Sequence, residues 1–295
     1  MSWRSRQMVV PAMAGLLAVL VFVWAHPADR DSSVLNRSWN GLSGAAAELG
    51  ASALLSHEEL DAAAPPATLI VIPRLAPERA FIEAIDGFVR GGGTVVVCDD
   101  FGHGNEVLSA LEVDIRFAGA PLYDPLYCHR HASMPKVEFR QWSTGDVMGV
   151  MALNRPTWLE SGEGVDIWAE SSYFSYGDLN SSGSRNTGEP DGPLPVGAVA
   201  TRGKGLVVVV ADESLLLNGM LHAGDNVQAV RQFARGEVMI DQVNLPEVEL
   251  DRSKGAVGVL GRVVAGGTGI IVLMLLLFGA AVGYAWYNRT RQDNG

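Results

Sequence analysis

Three groups of residues carry side chains that could do chemistry. The first is the run DLNSSGSRNTGE, Asp178 to Glu189. Asp178, Asn180, Ser182, Asn186 and Glu189 place side-chain oxygens at the first, third, fifth, ninth and twelfth positions of an EF-hand calcium loop. Ser184 offers its carbonyl at the seventh, and Gly183 permits the sharp turn at the sixth. The flanks, SSYFSY and PDGPLPVG, have no helical pattern, and Ser, Asn and Gly also build ordinary surface turns. A calcium site and a polar turn both fit.

The second group follows apolar runs. Asp99, Asp100, His103 and Asn105 come directly after TVVVC, Arg74 after TLIVIP, and Asp212 and Asn218 after LVVVVA. Asn40 falls beyond an earlier, weaker strand pattern. Ligands of a parallel sheet bind beyond the carboxyl ends of its strands, so these residues could converge on a small ligand, a cation or a partner peptide. The same residue types cap helices and turns, which is the competing explanation.

The third group is Asp124, Cys128, His129 and His131. Thiolate and imidazole could hold zinc or copper, but no second ligand pair follows at a metal spacing, which favours a polar loop. Cys98 has no G-x-C-x-G setting, and Asp99 and Asp100 beside it would raise its thiol pKa, the wrong direction for a nucleophile. There is no G-x-S-x-G. The two cysteines allow at most one disulfide, and Cys98 reads better as a small buried hydrophobe.

These residues must be positioned by alternating strands and helices. TLIVIP and TVVVC are short apolar runs. Between them APERAFIEAIDGFVRGGG puts Phe81, Ile82, Ile85, Phe88 and Val89 on one helical face and closes with glycines. DSSVLN and ASALLS are weaker strands, VGAVATRGKGLVVVVAD a hairpin turning at Arg202 to Gly205, DNVQAVRQFARG a helix, and VMIDQV a last strand. Buried runs separated by amphipathic helices predict a three-layer α/β sandwich with a mostly parallel, flavodoxin-like sheet. From about 119 to 165, turn residues and short alternating stretches predict a β-rich insertion.

The chain has 295 residues and a net charge of −11, which argues against a nucleic-acid surface. Residues 8–25 and 267–287 are apolar and long enough to span a bilayer; the first also reads as a signal-peptide core. Arg4, Arg6, Arg289 and Arg291 put both ends in the cytoplasm by the positive-inside rule. The expected organisation is a cytoplasmic tail (1–7), a signal anchor (8–25), an extracytoplasmic domain (26–246), a linker (247–266), a transmembrane helix (267–287) and a second tail (288–295). Transmembrane helices thus flank the α/β domain, at the cell membrane.

Two long segments, GGGTVVVCDDFGHGNEVLSALEV and SYFSYGDLNSSGSRNTGEPDGPLPVGAVATRGKGLVVVVADESLLLNGMLHAGDN, together resemble the domain-of-unknown-function family numbered 4350. The resemblance implies a membrane-anchored domain with a class I glutamine-amidotransferase-like fold that lacks the catalytic residues, and a role in envelope assembly. Ser182 departs from the family, which tends to have Asn there. The function expected is a non-enzymatic domain that binds a ligand or a protein partner of the cell envelope, with calcium as a candidate ion and no nucleic acid. The alternatives are a hydrolase or transferase using Asp99, Asp100 and His103, and a solute-binding component of a transporter.

Overall fold

The computed structural model describes residues 30–246. Its strands are β1 (Ser52–Leu54), β2 (Ala67–Val71), β3 (Thr94–Cys98), β4 (Ile115–Phe117), β5 (Leu122–Tyr123), β6 (Lys136–Arg140), β7 (Val147–Ala152), β8 (Leu159–Ser161), β9 (Val165–Glu170), β10 (Tyr176–Gly177), β11 (Pro195–Arg202), β12 (Gly205–Val210) and β13 (Glu237–Asp241). The helices are α1 (Ser43–Leu49), α2 (His57–Ala62), α3 (Arg79–Gly91), α4 (Gly104–Ala110) and α5 (Asn226–Arg231).

One nine-stranded sheet runs in the order β1-β13-β2-β3-β12-β11-β9-β6-β7. The five strands from β1 to β12 pair in parallel. The pairs from β12 to β7 are antiparallel. In the parallel half, every residue of β2 and β3 is buried. A strand covered on both faces needs such a continuous apolar run. Helix α3 packs on β3 and β12. It buries Phe81, Ala84, Ile85, Phe88 and Val89, and each larger side chain contributes about 1.5–3 kcal/mol relative to exposure. Gly92, at φ 116°, ends the helix in a left-handed conformation, where a side chain would be strained.

Farther into the antiparallel half, on β6, the residues alternate. Val137 and Phe139 of β6 are buried, while Glu138 and Arg140 between and after them are exposed. Trp168 of β9 sits edge-on to Phe139 and Phe233, with ring centroids 6.5 and 5.2 Å apart. The sheet's outer strand, β7, is not left open. Val150 N–H donates to Asp225 Oδ2 (3.0 Å) and Ala152 N–H to Asn226 Oδ1 (2.9 Å). Side chains at the start of α5 thereby cover an edge that could otherwise template another strand.

Several expectations are corrected. The sheet is mixed rather than mostly parallel, and few helices accompany it. The β-rich segment is not a separate insertion: β6 and β7 extend the main sheet, because β9 pairs with both β6 and β11. DSSVLN forms turns, since Ser33 and Asn36 bond within their own loop. VMIDQV, which carries the last strand among the described residues, lies between β1 and β2. Cys98 and Cys128 are both free.

The membrane expectations are also corrected. Among the described residues, no helix is long and apolar enough to cross a membrane. Flanking transmembrane helices, a membrane-anchored location and cytoplasmic termini are therefore not supported. Segments 8–25 and 267–287, on which they rested, lie outside the described residues.

Candidate functional site

The carboxyl ends of β2, β3 and β12 lie side by side in the sheet, and acidic residues follow two of them. Asp99, just after β3, turns into the protein: Oδ1 accepts the Gly102 N–H (2.9 Å) and Oδ2 the Gly104 N–H (2.6 Å). This requires the glycines. A Cβ on Gly102 would lie 2.6 Å from Asp99 Oδ1 and 3.0 Å from the Pro73 carbonyl. One on Gly104 would lie 2.5 Å from the Phe117 ring. The DDFGHG motif is thus a loop folded around its own first aspartate.

Asp100 is bonded differently. Its carboxylate accepts the neighbouring Phe101 N–H (2.6 Å). Ligand oxygens of Asp99, Asp100 and Glu213, the last just beyond β12, lie within 4.8 Å of one another. The cation beside them is Arg74, after β2. It donates to Glu213 (3.0 Å) and Ser32 Oγ (3.0 Å) and reaches Asp31 at 3.5 Å. Burial, followed by repulsion from Glu213, Asp212 and Asp99, pushes the Asp100 carboxyl up to about 8. Burial raises Asp99 as well, against the pull of its N–H donors. Glu213 is raised by burial, and Arg74 offsets part of that. Asp212, fully buried, is raised to about 6 by burial although the Ser214 hydroxyl and the Asn154 and Ser214 N–H groups all donate to it.

The remaining strand-end residues are structural. Asn105 makes two bonds to the Phe117 backbone and pins β4. Asn218 accepts the Gly44 N–H at the start of α1 and donates to the Asn36 and Ser38 carbonyls. Asn40 bonds Asn36 and Asp31 within its own loop. His103 pairs with Glu106 at 2.8 Å. Of the residues singled out from the sequence, Arg74, Asp99, Asp100 and Asp212 come together. Glu213, Asp31 and Ser32 were missed. Glu213 could have been found, because it directly follows Asp212 beyond the end of β12.

Cys98 is buried, and its thiol is pushed well above the ordinary range by burial and then by Asp212 and Asp99. Near neutral pH it is a protonated core group with no nucleophilic character.

The DLNSSGSRNTGE run folds on itself. Asp178 is buried and accepts the N–H groups of Ser182 (3.0 Å) and Gly183 (2.7 Å). Glu189 accepts those of Leu179 (3.2 Å) and Asn186 (2.7 Å). Asn180 Oδ1 also takes the Ser182 N–H. The Asn186 amide donates to Ser182 Oγ and the Ser184 carbonyl. Apart from Asn186 Oδ1, the candidate ligand oxygens thus already have protein donors. Asp124 likewise accepts the N–H groups of Leu126 and Tyr127. His131 bonds Ser133.

A family model described as "Domain of unknown function (DUF4350)" matches residues 34–234. No curated protein matches the sequence. Among solved structures, the mmIFT52 N-terminal domain is similar at 14% identity and a TM-score of 0.44, over 59% of this chain and 77% of that one. A cytoplasmic protein from Salmonella typhimurium is similar at 10% identity and a TM-score of 0.38, over 63% and 77%. A beta-galactosidase from Bacillus circulans sp. alkalophilus is similar at 18% identity and a TM-score of 0.31; the match spans 57% of this chain but only 23% of that enzyme. Likenesses this low carry no argument about function.

Proposed function

The chain belongs to the DUF4350 family, a domain of unknown function, and from that premise we propose that it is a non-enzymatic binding domain whose strand-end carboxylate cluster receives a positively charged group. The observation that carries this reading is the meeting of Asp99, Asp100 and Glu213 within 4.8 Å, with Arg74 already engaged by Glu213, Ser32 and Asp31. Like charges this close favour holding a proton or accepting a cation. Asp100 can do either, since its one bonded donor is a neighbouring backbone N–H.

Binding is favoured over hydrolysis or group transfer by how the other groups are used. Asp99 and Asp212 are spent on backbone N–H groups, His103 is turned to Glu106, and the nearby thiol is held protonated. A catalytic site needs a nucleophile or a positioned water between an acid and a base. Here the acids are stacked against one another instead.

Calorimetric titration of the protein at pH 8 with calcium, magnesium and manganese, and separately with arginine amide, tests this. At least one of them binds, and the Asp100→Asn, Glu213→Gln double variant weakens it tenfold or more, about 1.4 kcal/mol. Binding by none of them, or equal binding to the double variant, overturns the proposal.

A further inference from the structure

A cleft of about 290 Å³ opens over β6 and β9 in the antiparallel half and shares no residue with the strand-end site. Lys136, Glu138 and Arg140 alternate along β6 and line it together with Glu170 of β9. Alternate residues of a strand stand about 6.6 Å apart on one face, so β6 presents a donor, an acceptor and a donor in a row. Glu138 and Glu170 are directly paired across the strands. Like charges in that position destabilise a sheet. Glu138 is relieved by Arg140 at 3.8 Å, while among the described residues Glu170 forms no ion pair. Lys136 Nζ lies 6.0 Å over the Tyr127 ring.

The rims are aromatic and held in place. Tyr127 and Tyr173 line the cleft and are 38% and 79% exposed. One fully buried carboxylate, Asp124, fixes both loops. Its Oδ1 accepts the N–H groups of Leu126 and Tyr127, and its Oδ2 accepts the Ser172 hydroxyl. Ser172 Oγ in turn accepts the Phe174 N–H. A buried carboxylate is costly to desolvate, and here it sets the loops that carry two exposed tyrosines. Trp168, also in the wall, has a buried indole N–H without a partner among the described residues.

From this geometry we infer that the cleft binds a neutral saccharide. Two cations and two carboxylates cancel, so a ligand of one charge sign meets as much repulsion as attraction. An apolar ligand would strip four charged groups of water without replacing their bonds. A hydroxyl both donates and accepts, so a hydroxyl-rich ring can accept from Lys136 and Arg140 and donate to Glu138 and Glu170. Its apolar face can lie against a tyrosine ring. The volume suits a small ligand at the lower end of ordinary pockets, rather than an extended chain.

Ligand-observed saturation-transfer NMR on the whole protein tests this, with neutral mono- and disaccharides of glucose, galactose, mannose and N-acetylglucosamine as probes and glutamate and glycyl-lysine as charged comparisons. At least one saccharide receives saturation, and Tyr173→Ala and Glu170→Gln each weaken it tenfold or more. Both positions are at the surface, so the variants remain folded, which circular dichroism checks. Transfer to no saccharide, transfer to the charged probes alone, or saccharide binding unchanged in both variants overturns the inference. The result is independent of cation binding at the strand ends, because the two sites share no residue.

Discussion

The two halves of the sheet solve the same problem with different chemistry. In the parallel half the strands are buried on both faces, so polar side chains are pushed to the strand ends, where Asp99, Asp100, Asp212 and Glu213 crowd together. In the antiparallel half one face of β6 and β9 is wet, and charged residues are spread along the strands as Lys136, Glu138, Arg140 and Glu170. Buried carboxylates organise loops in both halves, Asp99 the DDFGHG loop in the first and Asp124 the tyrosine-bearing loops in the second. The difference lies in what remains outside. The parallel half leaves acid with little compensation, suited to a cation; the antiparallel half leaves balanced charge beside aromatic rings.

The largest effect should come from removing the loop-organising carboxylates. Asp99→Ala leaves the Gly102 and Gly104 N–H groups without acceptors and should cost about 2–4 kcal/mol by urea unfolding, on the scale of about 1–3 kcal/mol per buried orphan. Asp124→Ala should cost less, because its tyrosine-bearing loops border solvent. If Asp124→Ala proves the costlier, the parallel half is not the more tightly specified.

A smaller effect concerns pH. Asp99, Asp100, Asp212 and Glu213 all titrate above their ordinary values in the folded chain. Their contribution to stability is therefore full below the ordinary carboxylate value of 3.8 for aspartate. It is lost as pH rises through about 6 for Asp212 and about 8 for Asp100. Asp100→Asn should raise Tm at pH 9 by about 2–4 °C, the equivalent of about 1 kcal/mol for a domain of this size, and leave it unchanged at pH 4. Equal shifts at both pH values would detach the effect from acid crowding.

Cys98→Ala should cost about 1 kcal/mol for lost packing, and a thiol reagent should label half-buried Cys128 in the native protein well before Cys98. Rapid labelling of Cys98 would mean that the parallel half opens easily at its strand end. The smallest effect belongs to the DLNSSGSRNTGE loop. Its two carboxylates already accept four N–H groups, so about 10 mM calcium, above the range of weak extracellular sites, should move Tm by less than about 1 °C. A larger rise, lost in Asp178→Ala, Glu189→Ala, would restore the calcium loop.

What the sequence made legible follows the same division. The buried runs TLIVIP and TVVVC, the α3 periodicity and the hairpin at Gly203 could be read because burial on both faces or a tight turn constrains every residue locally. The placement of β13 between β1 and β2, and the continuation of the sheet through β9 into β6 and β7, depend on pairings between distant segments, which leave no local pattern. The candidate site was half legible. An acid after a buried strand signals its position at the sheet's end, but not its direction. Asp99 accepts the N–H groups of Gly102 and Gly104, while Asp100 accepts that of Phe101. Asn105 and Asn218 have the residue types of a binding site, yet their amides are consumed by the Phe117 backbone and by the loop before α1.

The account's central claim is that Asp100 holds a proton near neutrality and gives it up to an arriving cation. Carboxyl-carbon NMR of selectively labelled protein, with Asp100 assigned by its Asn variant, measures this directly. Without an added cation, Asp100 should titrate near pH 8; with a saturating cation that binds in the calorimetric titration, its midpoint should move toward acid pH. Titration at the ordinary aspartate value, with no change on adding cation, would contradict the claim.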